Sequence, residues 1–254
     1  MRFSANLGFL WTDRPLPDAI HAAKAAGFDA VECHWPYAFP AAEVTNALEE
    51  TGLPMLGLNT RRGDLEAGEN GLSALVGRET EAQEAIDEAL AYAGQTGTSA
   101  VHVMAGFAQG AVAQACFVSN LQYACEKAAP LGIKILLEPL NRYDAPGYFL
   151  TTTGQAEEII AAVGSPDLKL MFDCYHVQLM QGDLSHSLER LLPLIGHIQF
   201  ASVPDRGTPD HGEVNFAHVF QLIQSLGYKH PLGAEYKSPL PTDQTLDWMT
   251  ALKP

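Results

Sequence analysis

Five short apolar runs in this chain close on a residue that can do chemistry. AVECHW carries Glu32, ILLEPLN carries Glu138, LMFDCYH carries Asp173, HIQFAS carries Gln199 and PLGAEYK carries Glu235. The residues before each polar group read as a buried strand, so the side chain falls at or near the strand's carboxyl end. A buried ionised carboxylate left uncompensated is so costly that it neutralises, pairs with a cation or coordinates a metal. Glu138, Asp173, Gln199 and Glu235 together form an oxygen-only donor set, which suits one Mg²⁺ or Mn²⁺ ion better than zinc or copper. Glu32 is read as a salt-bridge partner or helix cap, because the other four already suffice. His102 and His176 also lie near strand ends, as candidates for lining a pocket. Arg206, in the long loop after Gln199, and Lys237, two residues past Glu235, are the candidates for gripping an anionic substrate.

Donors this far apart in sequence meet only if the elements carrying them converge. The chain repeats one phrase, a helical pattern, a glycine and a short apolar run, in AAGFDAVE, ETGLPMLG, QTGTSAVHV, PLGIKILLE and SLGYKHPLGAE. A glycine just past a helix supplies a left-handed cap, and the continuous apolar run after it suits a parallel strand buried on both faces. Ala82, Ala85, Ile86, Ala89, Leu90 and Ala93 form one amphipathic stripe, as do Phe216, Val219, Phe220 and Ile223. With FSANL, LKLMFD and HIQFAS added, about eight strand–helix units result, the alternation of a single α/β domain over residues 1–254 folded as a (β/α)8 TIM barrel. An open doubly wound sheet is the other candidate, but no GxGxxG or GKS/GKT loop follows the first strand.

Helix-to-strand joints are terse, whereas strand-to-helix loops such as EPLNRYDAPGYFLTTT and ASVPDRGTPDHGEVN are long and polar, so function belongs at the carboxyl-end mouth. Strand alternation sends Gly233 and Lys237 inward with Glu235, Ala201 with Gln199, and Ala30 and His34 with Glu32. Small residues beside polar ones are expected to leave a cavity there.

Composition narrows the partners. The 30 acidic and 15 basic side chains leave a net charge of −15, which repels a phosphate backbone and argues against nucleic acid. Cys33, Cys116, Cys125 and Cys174 show no paired spacing for a disulfide framework or zinc site, consistent with a reducing cytoplasm. The start of the chain lacks the apolar run of a signal peptide or membrane span. A homo-oligomer remains open, since WPYAFP suits core, pocket wall or subunit contact.

MRFSANLGFLW, GFDAVECHWPY, LLEPLNRYDAPGYFLT, FDCYHVQLMQGDL, HIQFASVPDRGTPDHGEVNF and GAEYK together resemble the hydroxypyruvate isomerase family, a branch of the xylose-isomerase-like TIM barrels. The resemblance runs through nearly the whole chain. It implies a single divalent metal on Glu138, Asp173, Gln199 and Glu235, with Glu138 and Glu235 as proton-transfer groups and His176, Arg206 and Lys237 in motifs that line a sugar-acid pocket. The reaction implied interconverts hydroxypyruvate and tartronate semialdehyde. VHVMAGFAQGAVAQ is shorter than is typical of the family, and VHVMAG with PDRGTPDHGE also resembles the 2-oxo-tetronate isomerases, so a four-carbon substrate is the alternative. A ketose 3-epimerase is disfavoured by Gln199 where those relatives carry histidine. An endonuclease-IV-type nuclease is disfavoured by the missing histidine-rich zinc cluster and basic face. A non-catalytic sugar-acid binder is disfavoured by the intact glutamates.

Overall fold

The computed structural model describes residues 1–252. Its strands are β1 (Phe3–Asn6), β2 (Ala30–Glu32), β3 (Leu58–Asn59), β4 (Ala100–His102), β5 (Lys134–Leu137), β6 (Leu168–Asp173), β7 (Ile195–Phe200) and β8 (Leu232–Ala234). They pair in parallel in the order β2-β1-β8-β7-β6-β5-β4-β3. The remaining seam is bridged by a parallel Val31–Met55 contact, with the Val31 amide donating to Pro54 and the Cys33 amide to Gly57. The sheet is thereby a nearly closed barrel, as the strand–helix alternation predicts.

Helices α1 (Leu16–Ala25), α2 (Ala41–Thr51), α3 (Glu79–Thr96), α4 (Gly110–Ala128), α5 (Thr153–Val163), α6 (Cys174–Met180), α7 (Leu184–Leu191), α8 (Phe216–Ser225) and α9 (Trp248–Ala251) occupy the connections. The predicted stripes on α3 and α8 are buried throughout. On α8 the stripe joins Phe3, Phe200 and Trp248 in an aromatic cluster, with ring centroids 4.9 Å apart for Phe200–Phe220 and 5.0 Å for Phe3–Trp248. Such pairs add about 0.5–1.5 kcal/mol each beyond area burial and anchor β1 and β7 from outside. The joint glycines behave as their positions require: Gly52 and Gly97 sit at φ 66° as left-handed caps of α2 and α3.

Alternation along the strands sorts the barrel into two chemistries. Phe3, Ala5, Val31, Val101, Ile135, Leu137, Leu170, Phe172, Ile198 and Phe200 belong to the main core shared with the helices. Their neighbours point the other way, and among these Ala100, Leu136 and Met171 form a separate apolar floor. Above that floor the inward residues are polar: Asn6, Glu32, His102, Asp173, His197 and Gln199 are all buried. The space beside Gly233 is not open: a Cβ added there would lie 2.6 Å from Glu32 Oε1 and 2.8 Å from Gln199 Cγ. Glu32 and Gln199 have filled the room that the missing side chain leaves.

Three of the long loops are tied together at the mouth. Gly71, after β3, pairs antiparallel with Ala105, after β4, and Phe107 pairs with Tyr148, after β5. Gly106 is at φ 93°, and any Cβ on it would strike the Gly71 carbonyl at 2.2 Å. Only glycine permits this approach.

Candidate active site

The strand ends bring four ligand-type side chains together. Glu138, Asp173, His176 and Glu235 each offer an atom within 4.8 Å of the others, and all four are buried. Glu138 follows β5 directly, Asp173 closes β6, and Glu235 follows β8. Gln199 is the register partner of Asp173 on one side and of Gly233 on the other, which places it in the same ring of strand ends.

Asp173 has two separate duties. Its Oδ1 accepts the Tyr175 amide at 2.9 Å and caps α6. Its Oδ2 is buried without a hydrogen-bond partner, as are Glu138 Oε1 and Gln199 Oε1. Buried oxygen acceptors are normally satisfied, and each that is not costs roughly 1–3 kcal/mol. Three of the four residues proposed as ligands from the sequence therefore present an orphaned oxygen.

Arg206 is the main counter-charge. Its guanidinium is buried between the rings of Phe9 and Tyr175, each 4.8 Å away. It donates to Glu235 Oε2 at 2.5 Å, lies 3.6 Å from Asp173 Oδ2, and reaches Asp144 at 3.3 Å. The Arg206 backbone is left-handed, at φ 56°, and its carbonyl accepts the Lys237 amide at 2.7 Å. Positive φ on a non-glycine residue is a strained conformation that the surrounding structure must enforce. The guanidinium that the sequence offers as a candidate for an anionic substrate does line the cavity, and it is also engaged by carboxylates of the cluster. Lys237 keeps its ammonium at the mouth, 5.0 Å from the Phe9 ring.

The charges do not balance among the protein groups alone. Glu138, Asp173 and Glu235 face one guanidinium, an excess of two negative charges if all three are ionised. Burial pushes the Glu138 carboxyl well above the carboxylate range, and Glu235 and Asp173 add to the rise. Burial likewise raises Asp173, with Glu235 next in effect. Glu235 moves the other way: burial opposes its ionisation, but Arg206 and His34 hold it below the ordinary range. A divalent cation supplies the missing two charges and oxygen-seeking ligation, so the donor set fits Mg²⁺ or Mn²⁺.

His176 belongs to this cluster without being suited to ligation. Its Nδ1 accepts the Asn141 backbone amide at 3.0 Å and faces the Asn141 side-chain nitrogen at 2.7 Å. That leaves the proton of a neutral ring on Nε2, which lies 3.6 Å from Asp173 and 3.8 Å from Glu138. Burial, reinforced by Arg206, depresses its pKa to about 3, so the ring is a neutral donor. Burial depresses His102 to about 4. Neither of its ring nitrogens has a hydrogen-bond partner, and Nδ1 is 3.6 Å from Glu138.

Glu138, His176, Arg206, Glu235 and His102 border a cavity of about 200 Å³ whose walls also include Phe9, Trp35, Met104, Leu140 and Lys237. Sequence reasoning did not assign Asn6 or His34 to the site. Asn6 Nδ2 donates to Glu235 Oε1 at 2.9 Å, and His34 Nε2 lies 2.9 Å from the same oxygen. The signal was present in both: Asn6 closes the apolar run FSAN, and alternation already turned His34 inward. Glu32 is paired with His197 at 2.6 Å, in line with its reading as a salt-bridge residue. Among the described residues no helix is long and apolar enough to cross a membrane, and all four cysteines are buried free thiols.

The model of the xylose isomerase-like TIM barrel family matches residues 20–252. A 2-oxo-tetronate isomerase from Cupriavidus necator is 42% identical over 98% of this chain and 97% of its own. The hydroxypyruvate isomerase of Escherichia coli K12 is 35% identical over 98% of each chain. A solved Brucella melitensis structure described as an AP endonuclease of family 2 superposes with a TM-score of 0.95 at 36% identity, covering 100% of this chain and 99% of its own.

Proposed function

This chain belongs to the xylose isomerase-like TIM barrel family, and on that premise we propose that it is a divalent-metal-dependent isomerase of 2-oxo acids bearing a neighbouring hydroxyl. The favoured reaction interconverts hydroxypyruvate and tartronate semialdehyde. The observation that carries the reading is the convergence of Glu138, Asp173 and Glu235 with orphaned oxygens on Glu138, Asp173 and Gln199.

Those four residues would hold the ion, Mg²⁺ or Mn²⁺. When bound it supplies Lewis-acid stabilisation of negative charge on the substrate's adjacent oxygens. The chain's own groups do the rest. One of Glu138 and Glu235 removes a proton from the hydroxyl-bearing carbon, giving an enediolate; the hydroxyl proton passes to the former carbonyl oxygen, and one of the two glutamates returns a proton to the former carbonyl carbon. Because the reaction is reversible, a group acting as base in one direction acts as acid in the other. The His176 Nε2–H is a neutral donor for a substrate oxygen, and buried His102 offers a second such contact. Lys237 takes the substrate carboxylate at the mouth, while Arg206 holds Glu235 in place. Phe9, Trp35 and Leu140 wall the cavity with apolar surface and limit access of water to the enediolate.

A four-carbon 2-oxo-tetronate is the second reading, favoured by the 42% identity to the Cupriavidus enzyme. It places the same carbonyl and hydroxyl at adjacent carbons and adds one hydroxylated carbon. A nuclease activity, suggested by the description of the Brucella structure, finds no support in a chain of net charge −15.

The deciding experiment offers hydroxypyruvate and 2-oxo-tetronate to the Mn²⁺- or Mg²⁺-loaded protein in D₂O and follows both by NMR. Product formation from either substrate identifies the reaction and substrate. Binding with neither product nor solvent deuterium entering the substrate would refute the isomerase reading in favour of a sugar-acid binder.

A further inference from the structure

We propose that Glu32 is a positioning residue that sets which face of the Gln199 amide meets the metal, an inference that rests on the metal reading above. A glutamine amide has an oxygen that can ligate a cation and a nitrogen that cannot, and the two are nearly equal in shape. A glutamine ligand therefore needs a device to orient it.

Glu32 is that device. Its Oε1 accepts the Gln199 Nε2 group at 2.8 Å and Asn6 Nδ2 at 3.1 Å, and its Oε2 meets His197 Nε2 at 2.6 Å. A carboxylate has no N–H to offer, so the face of Gln199 turned toward Glu32 must be the nitrogen. The oxygen is then turned away from Glu32, and it is the atom left buried and unpartnered. Glu32 is itself only 3% exposed, as is Gln199, so the contact between them is shielded from bulk water.

The same carboxylate reaches a second proposed ligand. Asn6 Oδ1 accepts the Gly8 amide at 2.9 Å, which fixes Nδ2 as the other end of that amide. Nδ2 then spans Glu32 Oε1 and Glu235 Oε1. Glu32 thus orients Gln199 directly and Glu235 through Asn6. The missing Cβ at Gly233 provides the room: a side-chain carbon there would fall 2.6 Å and 2.9 Å from the two Glu32 oxygens.

Calorimetric titration with MnCl₂ tests the assignment, on wild type, Glu32→Gln, Gln199→Glu and the double variant, with folding checked by circular dichroism. Glu32→Gln removes the constraint on the amide, and its Mn²⁺ affinity is expected to fall about 10–100-fold, the usual effect of removing a group that orients a ligand. Gln199→Glu alone sets two carboxylates against each other and also weakens binding. In Glu32→Gln/Gln199→Glu the donor and acceptor are exchanged, a symmetric carboxylate replaces the orientable amide, and affinity returns to within about threefold of wild type. Recovery of this kind is not expected of a residue that merely fills space. Wild-type affinity in folded Glu32→Gln, or a double variant no tighter than the weaker single variant, would overturn the proposal while leaving the metal reading intact. If Glu32→Gln does not fold, the gain of the double variant over Gln199→Glu decides. Failure of wild type to bind either Mn²⁺ or Mg²⁺ overturns the metal reading, and the role of Glu32 with it.

Discussion

Gly233→Ala and Gly196→Ala are matched perturbations that separate a packing cost from a functional one. A Cβ at 233 would meet Glu32 Oε1 at 2.6 Å and Gln199 Cγ at 2.8 Å; a Cβ at 196 would meet Lys169 Cβ at 2.6 Å and Leu136 Cδ2 at 2.8 Å. Ordinary contact begins near 3.4 Å, so each methyl must drive its neighbours back by roughly 0.6–0.8 Å. Overpacking of this size costs about 1–3 kcal/mol. In a chain of this length each kcal/mol lowers Tm by about 2–4 °C, so both variants should melt about 2–12 °C early in calorimetry of the metal-free protein. Only Gly233→Ala displaces a proposed ligand and its orienting carboxylate. A misplacement approaching 1 Å can cost as much as about 10²-fold, so kcat/KM and Mn²⁺ affinity should both fall severely there and stay near wild type in Gly196→Ala. Parallel loss of metal affinity in the two variants, or none in Gly233→Ala, would refute the reasoning.

Glu138→Gln keeps the shape and removes a proton-transfer group, so kcat should drop by about 10²–10⁴-fold or more with the circular dichroism spectrum unchanged; normal turnover would remove Glu138 from the chemistry. Chelation should abolish turnover and lower Tm, and Mn²⁺ added back at about a hundred times its Kd should restore about 2.7 kcal/mol of stability; full activity of demonstrably metal-free protein would contradict this. Lys237→Ala should raise KM for an acid substrate more than it lowers kcat, a split that steady-state kinetics reads directly. The hydrogen bond that His211 donates to Asp205 raises the His211 pKa above 6.5. Burial opposes ionisation of Asp205, but hydrogen bonds from His211 and Ser202 bring its pKa down to about 2. A raised imidazole stabilises the loop below 6.5 and loses that contribution as pH rises through its folded value. A depressed carboxylate contributes above 3.8 and loses it as pH falls through about 2. The pair is therefore strongest between about pH 4 and 6.5 and weakens as pH rises from 6.5 through the raised imidazole value, and NMR titration should show His211 falling back toward 6.5 in Asp205→Asn.

The barrel was legible because helix caps and strand runs are local signals. Glycine after a helix and a continuous apolar run after it are fixed by backbone sterics and burial, whatever lies elsewhere in the chain. The convergence of Glu138, Asp173 and Glu235 followed from one rule of parallel barrels, that strand ends share a mouth. What the sequence did not convey was pairing across the interior. Asn6 and Glu235 are 229 residues apart, and Glu32 and Gln199 are 167 apart. Their contact depends on side-chain reach inside the barrel, which alternation leaves undetermined. The filling of the Gly233 space by Glu32 was hidden for the same reason. Arg206 was assigned to the pocket from its loop, but the left-handed backbone that turns its guanidinium onto Glu235 has no signature in PDRGT.

The lacing of the mouth by Gly71–Ala105 and Phe107–Tyr148 makes one side of the entrance a joined arc. The loops after β3, β4 and β5 cannot swing separately, because moving the middle one breaks backbone bonds to both neighbours. The opposite arc holds Arg206 and Lys237, whose loops are tied to each other by the hydrogen bond from the Lys237 amide to the Arg206 carbonyl.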